Sequence, residues 1–179
     1  MEQTVASVTV ECITGDIAKQ DDIDAVVNAA NAQLRSGGGV AGAIHRAAGP
    51  GLAEECRPLS PIQPGQAVLT SAHELPNKHV IHCLGPVFGR DEPSDKLLAD
   101  CYRNALKIAE ENKIESVAFP SISTGAFGYP MNDAAAIAMQ TINDMSPHLT
   151  KVKRIRFVLF DGNAREIHEN AMQQMLGER

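Results

Sequence analysis

Two segments of this chain concentrate residue types that bind and orient a ligand. The first is Asn28-Ala29-Ala30-Asn31, followed after residues 32–36 by Gly37-Gly38-Gly39-Val40. Three consecutive glycines are costly to order, so they mark backbone that needs positive φ or close approach to a ligand. At the entry to a helix, their N–H groups and the helix dipole favour an anion. The amides of Asn28 and Asn31 offer donors and acceptors suited to sugar hydroxyls. The second segment is Ser121-Ile122-Ser123-Thr124-Gly125-Ala126-Phe127-Gly128-Tyr129-Pro130. Its small residues expose backbone N–H groups, and Phe127 adds an apolar wall. Two such loops at one sheet edge would clamp a diphosphate from both sides. A third piece, Gly15-Asp16-Ile17, sets a carboxylate beside a backbone N–H, a pair able to read the amino group and a ring nitrogen of adenine. Adenine, diphosphate and ribose together describe a nucleotide sugar.

The elements that must position these loops are short β-branched runs alternating with helical stretches. Residues 8–13, 25–28, 67–70, 79–83, 117–120 and 155–160 read as strands. The runs Ala25-Val26-Val27 and Val117-Ala118-Phe119 are continuously apolar, as expected of central strands covered on both faces. Leu97, Leu98, Cys101, Tyr102, Ala105, Ile108 and Ala109 repeat at helical spacing, with Ser94 as the expected N-cap behind Pro93. Ala134, Ile137, Ala138, Thr141, Ile142 and Met145 form a second stripe, and Ile167, Ala171, Met175 and Leu176 a third. A shorter helix is expected from Val40 towards Cys56, interrupted at Gly49-Pro50-Gly51. This alternation predicts a three-layer α/β domain with a mostly parallel sheet, in which ligands sit outside the carboxyl ends of the strands. Residues 57–66, with three prolines, read as a surface loop within one domain spanning 1–179.

Composition excludes several function classes. The 179 residues include 22 acidic side chains against 16 Lys and Arg, a formal net charge of -6, with aromatics at 4% and no Trp. A polynucleotide groove wants basic side chains with stacking rings, so that partner is not expected. An acidic balance still permits a small anion held by backbone N–H groups. Cys12, Cys56, Cys83 and Cys101 form no C-x-x-C pair and have no His at ligand spacing, so neither zinc nor any other metal is expected. They read as reduced, buried thiols of a cytoplasmic protein. Residues 1–10 contain Glu2 and no apolar run, so no secretory leader is expected, and nowhere do ~18 apolar residues run together to span a membrane.

The same residues also admit plainer readings. Gly37 to Gly39 alone fit a tight turn. Gly37-x-Gly39-x-x-Gly42 fits the dinucleotide fingerprint literally, but the glycines begin well past the strand end and the strand at 67–70 ends without the acid that fingerprint needs. There is no P-loop Gly-Lys-Ser/Thr, which disfavours nucleoside triphosphate hydrolysis. His79 and His82, three apart on a strand, face opposite sides and make a poor metal pair. His45 reads as a packing residue of the glycine-loop helix. Lys151, Lys153, Arg154 and Arg156 alternate with apolar residues and read as a solvated strand face.

At these loops the sequence closely resembles the macrodomain family, in particular its MacroD-type branch, which hydrolyses ADP-ribosyl and O-acetyl-ADP-ribose esters. The matching pieces are Gly15-Asp16-Ile17, Val26-Val27-Asn28-Ala29-Ala30-Asn31, Gly37-Gly38-Gly39-Val40, Gly42-Ala43-Ile44-His45-Arg46-Ala47-Ala48-Gly49-Pro50, His79-Val80-Ile81-His82 with Gly85-Pro86, and Phe119-Pro120-Ser121 through Gly128-Tyr129-Pro130. They cover nearly the whole chain in family order. The resemblance implies an α/β/α macrodomain with a mixed sheet of about six strands and ADP-ribose in a crest cleft. By position, Asp16 and Ile17 would take adenine, with Phe160 stacked on it. Gly38, Gly39, Val40, Ser123, Thr124, Gly125, Ala126 and Phe127 would hold the diphosphate. Asn28 belongs to the same binding set, and Asn31 would orient the distal ribose against Phe127. One departure matters: active members of the branch carry Asp after the Gly-Gly-Gly-Val run, read as the group that activates or orients the attacking water, whereas here Ala41 stands. A positioned general base is worth about 10²–10⁴ in rate. Other macrodomains that the sequence resembles carry Val-Ala there, and the resemblance implies that in some of them the substrate's own phosphate holds the water.

Two functions are therefore expected to compete. One is a weakened hydrolase of O-acetyl-ADP-ribose or of mono-ADP-ribosyl esters on acidic side chains, with Asn31 and the Ala41 position at its centre. The other is a module that binds ADP-ribose, free or on a protein or small molecule, without turning it over. A third, an NAD-dependent oxidoreductase, rests on the glycine match alone. No cofactor is implied, and a monomer is expected.

Overall fold

The structure, a computed structural model, describes residues 1–176. Among these residues seven strands, β1 (Glu2–Val5), β2 (Val8–Thr14), β3 (Ala25–Ala29), β4 (Ala67–Ser71), β5 (His79–Cys83), β6 (Ser116–Phe119) and β7 (Arg154–Leu159), form one sheet in the order β1-β2-β7-β6-β3-β5-β4. The five inner strands run parallel, and β1 and β4 close the two edges antiparallel. One edge of the sheet therefore gathers the carboxyl ends of β2, β7, β6, β3 and β5 together with the start of β4.

Five α-helices cover the sheet: α1 (Gly39–Ala48), α2 (Pro50–Cys56), α3 (Ser94–Glu111), α4 (Met131–Met145) and α5 (Gly162–Leu176). Alternation along the strands divides the apolar residues between two cores. On one face Tyr102, Leu106, Met139, Ile142 and Met172 pack with Phe119 and Phe157. Tyr102 lies 5.1 Å and 6.1 Å, centroid to centroid, from those two rings, in the tilted geometry that suits their quadrupoles. On the other face Ile44, Leu52 and Cys56 of α1 and α2 meet Val26, Val80 and Ala118. The central strands are buried on both faces because they carry no polar alternation.

Three details differ from expectation within the expected fold. The sheet has seven strands rather than about six, because β1 adds an edge. β1 is only four residues long and half exposed, so it carries no apolar run to betray it; it is held by its ladder to β2 and by Glu2 reaching Arg154. Ser94 is the first residue of α3 and not its cap, a position taken by Pro93. The basic run is not simply solvated: Arg156 forms ion pairs with Glu11 at 2.8 Å and Asp22 at 2.7 Å, and Arg154 pairs with Glu11 at 3.0 Å. These links tie β7 to β2 and to the turn after it, and they hold the Asp22 and Glu11 carboxyls below their ordinary range.

The expected interruption at Gly49 separates α1 from α2. β7 ends at Leu159, one residue earlier than expected, which leaves Phe160 just beyond the ladder. No helix among the described residues is long and apolar enough to cross a membrane.

Candidate functional site

The first turn of α1 and the loop at 121–130 face each other across a cleft of about 460 Å³ at the carboxyl edge of the sheet. β3 delivers Ala29, Ala30 and Asn31 to its floor, and β6 delivers the loop. The backbone N–H groups of Gly37 to Ala41 and of Ser123 to Phe127 find no acceptor among the described residues. For α1 this follows from helix geometry, since the first turn of any helix has no carbonyl behind it. For the loop it follows from its own bonding. Ser123 is held at φ 68, a left-handed conformation costing about 1–3 kcal/mol for a residue with a side chain. Its Oγ donates to the Pro86 carbonyl at 2.8 Å, and its carbonyl accepts from Tyr129 at 2.9 Å, so the surroundings enforce the turn. Thr124 Oγ1 donates to Ser121 within the loop, and the Phe127 carbonyl accepts from Phe88.

The glycines have distinct parts. Gly39 sits at φ +56, and a Cβ on Gly38 or Gly39 would point into empty space, which is the open cleft itself. Gly42, one turn into α1, packs against the loop instead. A Cβ there would strike the Gly37 carbonyl oxygen and lie 2.9 Å from Arg46 Nη1. Close approach at Gly42 thus sets how the glycine loop lies on its helix.

Of the expected contact residues, Asn31, Gly38, Gly39, Val40, Ser123, Gly125, Ala126 and Phe127 line the cleft, as does Ala41. Asn31 grips its own loop: Nδ2 donates to the Arg35 carbonyl at 2.8 Å and Oδ1 accepts from the Arg35 N–H at 2.9 Å. One N–H and one lone pair of that amide remain for a ligand. Thr124 lies between two lining residues and does not itself line the cleft. Asp16, Ile17 and Phe160 lie outside this cavity, past the ends of β2 and β7, which are joined there by the Gly15 N–H to Leu159 carbonyl bond of 3.0 Å. Asp16 uses Oδ1 to hold the Ala18 N–H, and the Ile17 N–H has no acceptor among the described residues. Phe160 is 73% exposed.

Asn28 does not reach the wall. It is buried beneath the cleft, where Nδ2 lies 3.1 Å from His82 Nδ1, and His82 Nε2 in turn lies 2.9 Å from Thr70 Oγ1. This chain crosses β3, β5 and β4, with Asn28 directly opposite His82 and Thr70 two residues along β4 from Val68, the residue opposite His82, and it ties down the strand that presents Asn31. Because Asn28 donates, His82 carries its proton on Nε2, and burial pushes its pKa down to about 4. His82 and Thr70 escaped sequence reasoning as a polar pair, since only pairing across strands brings them together.

Ala41 offers no group that can move a proton. One helical turn later His45 is buried, and its Nε2 has no partner among the described residues. Burial lowers its pKa, so the imidazole is held neutral. Residues four apart share a helix face, so position 41 lies on the same face of α1 as His45. Among the described residues no three His, Cys, Asp or Glu side chains gather at one point as metal ligands would.

Comparison with known proteins places this geometry. The profile of the Macro domain family matches residues 27–138. A protein of Klebsiella pneumoniae named O-acetyl-ADP-ribose deacetylase is 44% identical over 167 residues, covering 90% of this chain and 95% of its own. A solved macrodomain of Oceanobacillus iheyensis with ADP superposes with a TM-score of 0.93 at 38% identity, covering 97% of this chain and 95% of that one. A Trypanosoma brucei macrodomain in complex with ADP-ribose gives a TM-score of 0.84 at 35% identity, over 90% of this chain and 68% of that one.

Proposed function

The chain belongs to the Macro domain family, and on that premise we propose that its cleft binds ADP-ribose and slowly hydrolyses esters at the distal ribose. The observation that carries this reading is the pair of facing loops whose backbone N–H groups lack protein acceptors. They suit a diphosphate, which gains charge-assisted hydrogen bonds and the dipole of α1 without any basic side chain. Adenine lies over the ends of β2 and β7, with Asp16 and the Ile17 N–H reading its edge and Phe160 stacked on its face. The diphosphate lies over β6 and β3, between Gly38-Gly39-Val40 and Ser123 to Phe127. The distal ribose then reaches Asn31 and Phe127. Asn28 supports this wall from beneath.

In the hydrolysis, a water oxygen adds to the acyl carbon and the ribose oxygen leaves with a proton, yielding ADP-ribose and the free acid. With Ala41 in place, the water is held by the substrate's phosphate and by the positioned ribose rather than by a protein base, so the step is slow. Ala41 also favours a second reading, a module that recognises ADP-ribose on a protein or small molecule without turnover. The four buried free thiols support a reducing, cytoplasmic setting for either one.

The Ala41→Asp variant separates the two. It supplies a carboxylate on the wall of the cleft, on the helix face that also carries His45. Release of ADP-ribose from an ester-linked automodified acceptor is expected to rise about 10²–10⁴-fold, while calorimetric ADP-ribose affinity stays within about threefold, a change under 1 kcal/mol. An unchanged rate would place the chemistry elsewhere. Turnover wholly absent in the unmodified chain leaves the binding module, and absence of ADP-ribose binding overturns both readings.

A further inference from the structure

On the other side of Asn31 and Phe127 from the cleft lies a second cavity of about 420 Å³. It shares Asn31, Gly85 and Phe127 with the first, so the two adjoin along those residues. Its floor is apolar, from the buried Ile62 and Leu84 flanked by Pro61 and Pro64, and its rim carries Gln33, Gln63 and the Arg90–Asp91 pair. We propose that this cavity is an acceptor subsite that takes the polypeptide flanking an ADP-ribosylated side chain. The inference rests on the ADP-ribose reading of the cleft and names what the distal ribose is attached to.

Sheet order argues for the placement. A ligand lying along the carboxyl edge from β2 and β7 over β6 and β3 brings its far end to β3 and β5. The second cavity is built from what comes next: the turn after β3, the segment after β5 and the stretch that leads into β4. A group on the distal ribose therefore points into it.

Size argues against a small acyl group as the sole occupant. The volume lies in the range that takes a drug-sized ligand, whereas an acetyl ester would leave it nearly empty. The chemistry argues for peptide. Exposed primary amides on Gln33 and Gln63 match backbone C=O and N–H groups, and the apolar floor suits aliphatic side-chain stems. Charge selection is weak, because Asp91 lies against the Arg90 guanidinium at 3.4 Å and also accepts the Val87 N–H at 2.8 Å. That backbone bond and the guanidinium hold the Asp91 carboxyl below its ordinary range, so the rim is ion-paired and close to neutral.

The test compares three probes by calorimetry: free ADP-ribose, NAD, and a nonapeptide bearing ADP-ribose on its central residue through a non-hydrolysable amide. The peptide conjugate is expected to bind about tenfold more tightly than ADP-ribose, and NAD no more tightly. Gln63→Trp, which fills the cavity from its exposed rim, is expected to abolish the gain while leaving ADP-ribose affinity within about twofold. Gln33→Trp serves the same purpose from the opposite side should the first variant misfold. Equal affinity for conjugate and ADP-ribose overturns the subsite, as does a gain that survives both variants. A comparable gain for NAD would assign the cavity to small aglycones instead. Failure of ADP-ribose itself to bind would strike the underlying reading, not this one.

Discussion

An aromatic ring left 73% exposed at the end of a buried strand has no packing to lose, and that is the position of Phe160. Stacking of a base on such a ring is worth about 1–3 kcal/mol. Phe160→Ala is therefore expected to weaken ADP-ribose binding about tenfold or more by calorimetry, with the thermal midpoint unmoved; a lowered midpoint would mean that the ring serves the fold. At this scale the sequence was informative where a side chain or its absence is the signal. Three glycines in a row, and Ala where a carboxylate is expected, are both visible as letters. The direction of the Asn28 amide was not legible, because a letter does not say which way an amide turns: its Nδ2 lies against His82, 54 residues away.

The element that matters most for the ligand is α1, and its alignment depends on Gly42. With the Gly37 carbonyl in the place a Cβ would occupy, Gly42→Ala forces the loop off the helix, an overpacking that typically costs about 1–3 kcal/mol. ADP-ribose affinity is expected to fall at least tenfold and the thermal midpoint to drop; an affinity equal to wild type would show that loop placement does not set the phosphate site. Elements were legible in proportion to their burial pattern. Strands β3 and β6 announce themselves by unbroken apolar runs, and the helices by their stripes. β1 stayed hidden because an exposed four-residue edge strand alternates too briefly to be seen. Arg154 and Arg156 looked solvated because their carboxylate partners come from β1, β2 and the turn after it, far away in sequence.

Across the whole molecule the buried histidines set a response to acid. His82 keeps a pKa of about 4 when folded, through burial, against about 6.5 when unfolded. The unfolded chain then binds more protons in that interval, so stability is full above pH 6.5 and falls as pH drops towards 4. Between pH 7 and pH 5, His82 alone is expected to remove about 2 kcal/mol of unfolding free energy. Burial depresses His45 and His168 in the same direction. Urea titrations at the two pH values measure the loss, and His82→Gln is expected to shrink it; an equal loss in that variant would remove His82 as the cause.

The sequence by itself determined that the two loops expose backbone N–H groups rather than basic side chains, since glycine-rich loops after apolar strands dictate local conformation without help from afar. Its acidic, aromatic-poor composition agrees, because such a site needs no positive charge. Only the tertiary structure decided what pairing across strands controls. The order of the carboxyl ends along one sheet edge sets Asp16 and Phe160, the two facing loops and Asn31 in line, with a second cavity on the far side of Asn31. The same pairing brings Thr70, His82 and Asn28 into one chain beneath that wall. Such contacts join residues far apart in the chain, so no local pattern encodes them.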